Sequence, residues 1–173
     1  MLRFKRAAIV AVSFLALVGC AKSAPPAPDA AADEAAIRAV NPAWFKAYNA
    51  GDVDGVAALY ADDAVLNIPG AAAARGRAAI REGLAKDIAA SAAGGFTLNQ
   101  PPMSEIGVSG DLGWEWNTFT VTDKSGATVD AGKYVTVYGR KDGKWLIIRD
   151  IWNSDTPPAP ATAPPAAKAP TKN

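Results

Sequence analysis

Asp150 and Trp152 stand two residues apart in the apolar run from Trp145 to Trp152. Residues at that spacing on a strand share a face, so the carboxyl and the indole point to one side together. A carboxyl set among apolar side chains loses hydration, and its pKa rises. Such a group serves as a general acid or base, or as an anchor for a ligand hydroxyl or amine. Its other readings are a salt bridge to Arg75, Arg77 or Arg149, or a bond from an indole N–H. The chain has no His and one Cys, Cys20, so acid–base chemistry falls to Asp, Glu, Tyr or Lys. Without His, zinc, copper and haem sites and Ser-His-Asp or Cys-His nucleophiles are not expected. No metal or cofactor is expected for this chain. Asp130 reads as a partner for Asp150 or as a turn-edge residue. Asp62-Asp63 looks like a carboxylate pair but reads as a helix-to-strand turn. Arg75-Gly76-Arg77 reads as the solvent-facing start of a helix, or as an anion clamp.

The elements that position these residues follow from periodicity. Ile37, Val40, Trp44 and Tyr48 recur at three- and four-residue intervals, which predicts an amphipathic helix, kinked at Pro42. Asp33 and Glu34 suit its positive N-terminal end. Gly51 stops it, and Asp52 caps a second short helix carrying Val53, Val56, Leu59 and Tyr60. Ala64 to Ile68 reads as a strand ended by Pro69-Gly70. Ile80, Leu84 and Ile88 mark a third helix, broken at Gly94-Gly95. The period then changes to two, in strands that carry Phe96 and Leu98, Trp114 to Val121, Lys133 to Tyr138 and Trp145 to Trp152. Lys124-Ser125-Gly126 is a turn and Lys141-Asp142-Gly143-Lys144 a hairpin signal. Helices first and antiparallel strands afterwards predict an α+β fold, with the helices covering one face of a meandering sheet.

Three segments carry a family resemblance. They are Gly51-Asp52-Val53-Asp54-Gly55-Val56-Ala57-Ala58-Leu59-Tyr60-Ala61-Asp62-Asp63-Ala64, then Gly76-Arg77-Ala78-Ala79-Ile80, then Gly143-Lys144-Trp145-Leu146-Ile147-Ile148-Arg149-Asp150-Ile151-Trp152. In this order and spacing they resemble the NTF2-like superfamily, nearest its SnoaL-like and DUF4440 branches and more distantly ketosteroid isomerase. The resemblance covers 33–155. It implies a cone in which N-terminal helices pack on a curved, mostly antiparallel sheet around an apolar pocket. Isomerases, cyclases, dehydratases, hydrolases and plain binders share that frame, so the fold does not select among them.

Ketosteroid isomerase works through an Asp base, with a Tyr and a protonated Asp in its oxyanion hole. Aligned on Tyr60-Ala61-Asp62-Asp63-Ala64 and on the last hairpin, those positions read Ile68, Trp44 and Gly132. Steroid isomerisation by that mechanism is therefore not expected. The same alignment turns Trp114, Trp116 and Thr118 inward on one strand, and Tyr134 and Thr136 on the next. Asp150 and Trp152 follow on the last strand, with Trp44 and Tyr48 facing down from the first helix and Asn67 beside Ile68. The resulting ligand-binding set is Trp44, Tyr48, Asn67, Trp114, Trp116, Tyr134, Asp150 and Trp152. It suits a flat or apolar molecule. The alternative is that these aromatics fill the cone as a solid core. The outward parity then carries Phe119, Val121, Val135, Val137, Trp145, Ile147 and Ile151, with Glu115, Asn117, Lys133 and Arg149 as its polar members. So apolar a face predicts a cover, most simply a second copy of the chain.

The ends of the chain read differently. Met1 to Arg6 carries three cations, and an apolar run from Ala7 to Val18 follows. That pattern is a secretory leader, shorter than the roughly 20 residues of a membrane span. Leu17-Val18-Gly19-Cys20 resembles the lipobox of bacterial lipoproteins, which implies cleavage before Cys20 and lipidation of its thiol. Segment 1–19 is then the signal peptide and 20–32 a Pro/Ala-rich tether. The tail 156–173 holds six prolines and is also expected to stay unfolded. Losing Arg3, Lys5 and Arg6 takes the formal charge from +1 to −2, with no basic stripe, so nucleic acid is not an expected partner. Ala21 after Cys20 points to the outer membrane, facing the periplasm. The expected function is lipid-anchored binding of a small apolar or aromatic molecule. Two alternatives stay open: a SnoaL-like enzyme using Asp150 with Asn67 or Tyr134, and a non-catalytic dimeric module.

Overall fold

The computed structural model describes residues 29–102 and 104–157; the leader, Cys20 and most of both Pro/Ala-rich ends lie outside the described residues. The described residues begin with α1 (Ala30–Arg38) and α2 (Val40–Asn49). Asp29 caps α1 by accepting from the N–H groups of Ala31 and Ala32 at 3.2 Å, so the helix starts three residues before Asp33. The predicted single kinked helix is two helices that meet at Ala39. Pro42 explains the break, because its ring clashes with the carbonyl four residues back, at Arg38, where α1 ends. In the first turn of α2 its missing N–H costs nothing.

A short α3 (Val53–Ala57) follows, capped as predicted by Asp52, whose carboxylate accepts from Gly55 N–H at 2.8 Å. Then come β1 (Tyr60–Asn67), β2 (Ala74–Arg75) and α4 (Arg77–Gly94). Gly95 ends α4 at φ 69°, a left-handed conformation in which Gly carries no Cβ penalty. Asp62 and Asp63 are exposed residues of β1, not a turn. Five further strands follow among the described residues: β3 (Thr97–Asn99), β4 (Glu105–Ser109), β5 (Leu112–Thr122), β6 (Thr128–Lys141) and β7 (Lys144–Ser154). Asp142 (φ 50°) and Gly143 (φ 76°) form the two-residue turn between β6 and β7, as the Asp-Gly pair predicts.

The strands form one sheet in the order β2-β1-β7-β6-β5-β3, with β4 also paired to β5. Every pairing is antiparallel except β1 with β7. Helices and sheet share one core built on Ile37, Val56, Tyr60, Ile80, Tyr138 and Ile147, each fully buried. This is the expected α+β cone, with N-terminal helices on a curled, mostly antiparallel sheet. No described helix is long and apolar enough to cross a membrane.

Strand parity differs from the alignment in two places, and both have a physical cause. Trp114 and Trp116 are 43% and 39% exposed, on the outer face, while Glu115, Asn117 and Phe119 are buried. Trp114 and Trp116 pair with Val137 and Val135, while Glu115 and Asn117 pair with Thr136 and Tyr134, so the tryptophans share a face with the two valines and lie opposite the inner face of Tyr134 and Thr136. Thr118 shares the outward parity of the two tryptophans. On β7 the register shifts, with Tyr138 opposite Ile147 and Val137 opposite Arg149. The extra residue there puts Trp145, Ile147 and Asp150 all on the inner side. Phe119, Trp145 and Ile147 are therefore core residues, not the outer patch predicted for them.

Candidate functional site

Asp150 lies at the centre of the inner face, 9% exposed. Strand β7 delivers it directly opposite Thr136 of β6 and beside Leu66 of β1. Its carboxylate accepts from Tyr60 OH at 2.7 Å and from Thr136 Oγ1 at 3.2 Å. Tyr60 OH in turn accepts from Trp44 Nε1 at 3.0 Å. An indole, a phenol and a carboxylate thus form one donor chain from α2 through β1 to β7. Burial pushes the Asp150 carboxyl up to about 6, against the hydrogen bonds from Tyr60 and Thr136 that lower it. Burial and the neighbouring carboxylate drive the Tyr60 phenol well above its ordinary value, so it donates without titrating. None of the three arginines offered as partners bonds to Asp150. Arg77 is held by Asp62 at 2.9 Å and by the Tyr60 carbonyl at 2.8 Å, which also argues against an anion clamp there. Arg149 is exposed and donates to the Ile148 carbonyl at 2.6 Å.

Around Asp150 the inner face stays open. A cavity of about 340 Å³ runs from α2 and α4 down to the sheet. Trp44, Tyr48, Tyr134 and Trp152 line it with Asp150, so five of the eight predicted ligand-binding residues meet there. Phe45, Phe96, Leu98 and Phe119 supply further apolar wall. The Trp44 and Tyr48 rings stack at 5.0 Å, as expected for residues four apart on α2, and Trp152 packs edge-on to Phe119 at 6.0 Å. Gly132 makes that wall possible: a Cβ there would sit 2.5 Å from the Phe119 ring. A second cavity of about 340 Å³ adjoins the first, sharing Trp44, Asp87, Asp150 and Trp152 and adding Ile68, Leu84 and Lys86. The solid-core alternative does not describe this interior.

Three predicted site residues lie elsewhere. Trp114 and Trp116 stand on the outer face, where pairing with Val137 and Val135 puts them. Asn67 donates to the Asp150 backbone carbonyl at 3.2 Å, tying β1 to β7 without lining either cavity. Two groups were missed. Glu115 was expected to face out, yet it is wholly buried behind the cavity wall. It accepts from Tyr138 OH at 2.9 Å and Tyr134 OH at 3.3 Å, and burial raises its pKa. Asn41 lies close enough to oppose that rise, but its buried Nδ2 makes no hydrogen bond of ordinary geometry. The inward alternation Tyr134-Thr136-Tyr138 was the available signal, because two buried phenols need an acceptor. Asp87, the second group, accepts from Tyr48 OH at 2.6 Å at the cavity mouth. Asp130 lines the rim and bonds to Ser154 and Thr156 rather than to Asp150.

Comparison with known proteins gives this geometry its setting. Residues 42–148 match the model of the SnoaL-like domain. No curated protein matches the chain. Among solved structures, an NTF2-like protein with a cystatin-like fold from Novosphingobium aromaticivorans aligns with TM-score 0.65 and 21% identity, over 70% of this chain and 81% of that one. A protein of unknown function from Mycobacterium tuberculosis aligns at TM-score 0.63 and 23% identity, over 76% and 82%. A ketosteroid isomerase-like protein from Erwinia carotovora aligns at TM-score 0.55 and 25% identity, over 72% and 98%. Fold, element order and family match agree: the chain belongs to the SnoaL-like family, on a fold it shares with NTF2-like proteins.

Proposed function

We propose that this protein is a lipid-anchored cell-envelope binder that holds a small apolar or aromatic molecule in its inner cavity. The observation that carries the reading is an open cavity of about 340 Å³, walled by aromatic rings, with one buried carboxylate at its floor. Its size and mixed lining suit a small organic ligand. The anchor rests on the lipobox resemblance at Cys20, which lies outside the described residues. Trp44 and Trp152 both line the cavity, so tryptophan fluorescence reports on it directly. Titrating the purified protein with 2-naphthylmethanol is expected to give saturable quenching with one probe per chain. Absence of saturable binding by this and other bicyclic aromatics would count against the reading.

One observation favours a second reading, an enzyme that moves a proton through Asp150. Its carboxyl titrates near 6, lines the cavity and is bonded to a phenol. A group poised near neutrality accepts and returns protons readily. Activity that falls as pH drops through about 6, with kcat reduced in Asp150→Asn far more than affinity, would support this reading over simple binding.

A further inference from the structure

The charge inside the cavity is one-sided. Asp87, Asp130 and Asp150 line it, and none of its lining residues is Lys or Arg. Glu115 adds a fourth carboxyl behind Tyr134. The ion pairs among the described residues all engage other carboxylates, so none of these four has a cationic partner. Lys86, on the wall of the adjoining cavity, is bonded to Glu82 at 2.8 Å. A buried carboxylate without a counter-ion is costly, and phenol and hydroxyl donors offset that only in part. Aromatic faces carry negative potential as well, and they attract cations. A purely neutral ligand would leave this field uncompensated.

We propose that the cavity takes an organic cation, an amine carried on an apolar or aromatic body, with its ammonium directed to Asp150 and its body against Trp44, Tyr48 and Trp152. This rests on the reading of the cavity as a ligand site. The three carboxylates then draw the ligand in from the mouth at Asp87 and the rim at Asp130 to the floor. Exclusion of anions follows from the same field.

Three probes of one shape separate the possibilities: 2-naphthylmethylamine, 2-naphthylmethanol and 2-naphthoate, each titrated against the full chain. The amine is expected to bind roughly tenfold or more tighter than the alcohol, and the carboxylate more weakly than either. In Asp150→Asn the ratio of amine to alcohol affinity should fall several-fold. Asp130→Asn, at the rim, should reduce it less; this variant serves if Asp150→Asn fails to fold. Equal affinity for amine and alcohol would overturn the cation inference and leave the cavity reading standing. No binding by any of the three would overturn both.

Discussion

At the scale of the residue, Asp150 couples stability to pH. Its pKa is raised from 3.8 to about 6 on folding, so the folded state holds the proton more tightly than the unfolded chain. The stability this confers is fully present below about pH 4 and is lost as pH rises through about 6. Above pH 6 the ionised carboxyl leaves the fold about 3 kcal/mol weaker than a protonated one would. Asp150→Asn, with no proton to lose, is therefore expected to gain on the wild type by about that amount as pH rises from 4 to 7.5. Urea unfolding of both proteins across this range measures it; parallel stability curves would contradict the burial argument. Arg149, exposed on the same strand, should tolerate Ala within roughly 0.5 kcal/mol. Asp150 and its facing were legible in the sequence because Trp152 shares its parity. Glu115 was not, since a carboxyl between two tryptophans reads as the polar member of an alternating pair. What reverses it is two phenols on the neighbouring strand, Tyr134 and Tyr138, which need an acceptor. Glu115→Ala would strand both and is expected to cost roughly 3 kcal/mol or more, read from the same unfolding experiment.

At the scale of the element, hydrophobic period located the main helices and long strands, and caps and turns set many of their ends. Asp52 and Asp142-Gly143 act where the sequence places them. Register was less legible. The face a β5 residue shows is set by its partner on β6, and nothing in the local pattern of Trp114 to Val121 shows that Glu115, not Trp116, lies opposite Thr136. The same holds on β7, where Ile147 and Asp150 share a face although they are three apart. The short β2 and β4 carry too few residues for a period to be read. The β5 parity is open to a direct test. Phe119→Ala should cost about 3–5 kcal/mol, as expected for a buried aromatic, whereas Thr118→Ala should stay near 0.5 kcal/mol. Reversed values would restore the parity first expected.

At the scale of the whole molecule, the outer sheet face keeps its apolar character with a new membership. Register aligns Trp116, Val135 and Ile151 in one row across β5, β6 and β7, with Trp114 and Val137 in the next. Trp116, Val135 and Ile151 are 39%, 38% and 51% exposed, which makes a contiguous patch rather than scattered side chains. We propose that a second copy covers it by two-fold symmetry, since a self-complementary patch suits an isologous pair. Light scattering of soluble Cys20→Ser protein should give a dimer, and Trp116→Glu a monomer of unchanged fold. A wild-type monomer would require another cover. Cys20→Ser should also abolish fatty-acid incorporation and leave an uncleaved or soluble form; retained label would place the anchor elsewhere. The aromatic cavity beside Asp150 is the proposed binding site. Ala90, on α4, lines that cavity, and Ala90→Trp fills its space from the helix side. Titration of 2-naphthylmethylamine into this variant and the wild type is the most direct measurement. The expected result is a loss of affinity of roughly tenfold or more with melting behaviour unchanged. Equal affinity in the two proteins would contradict it.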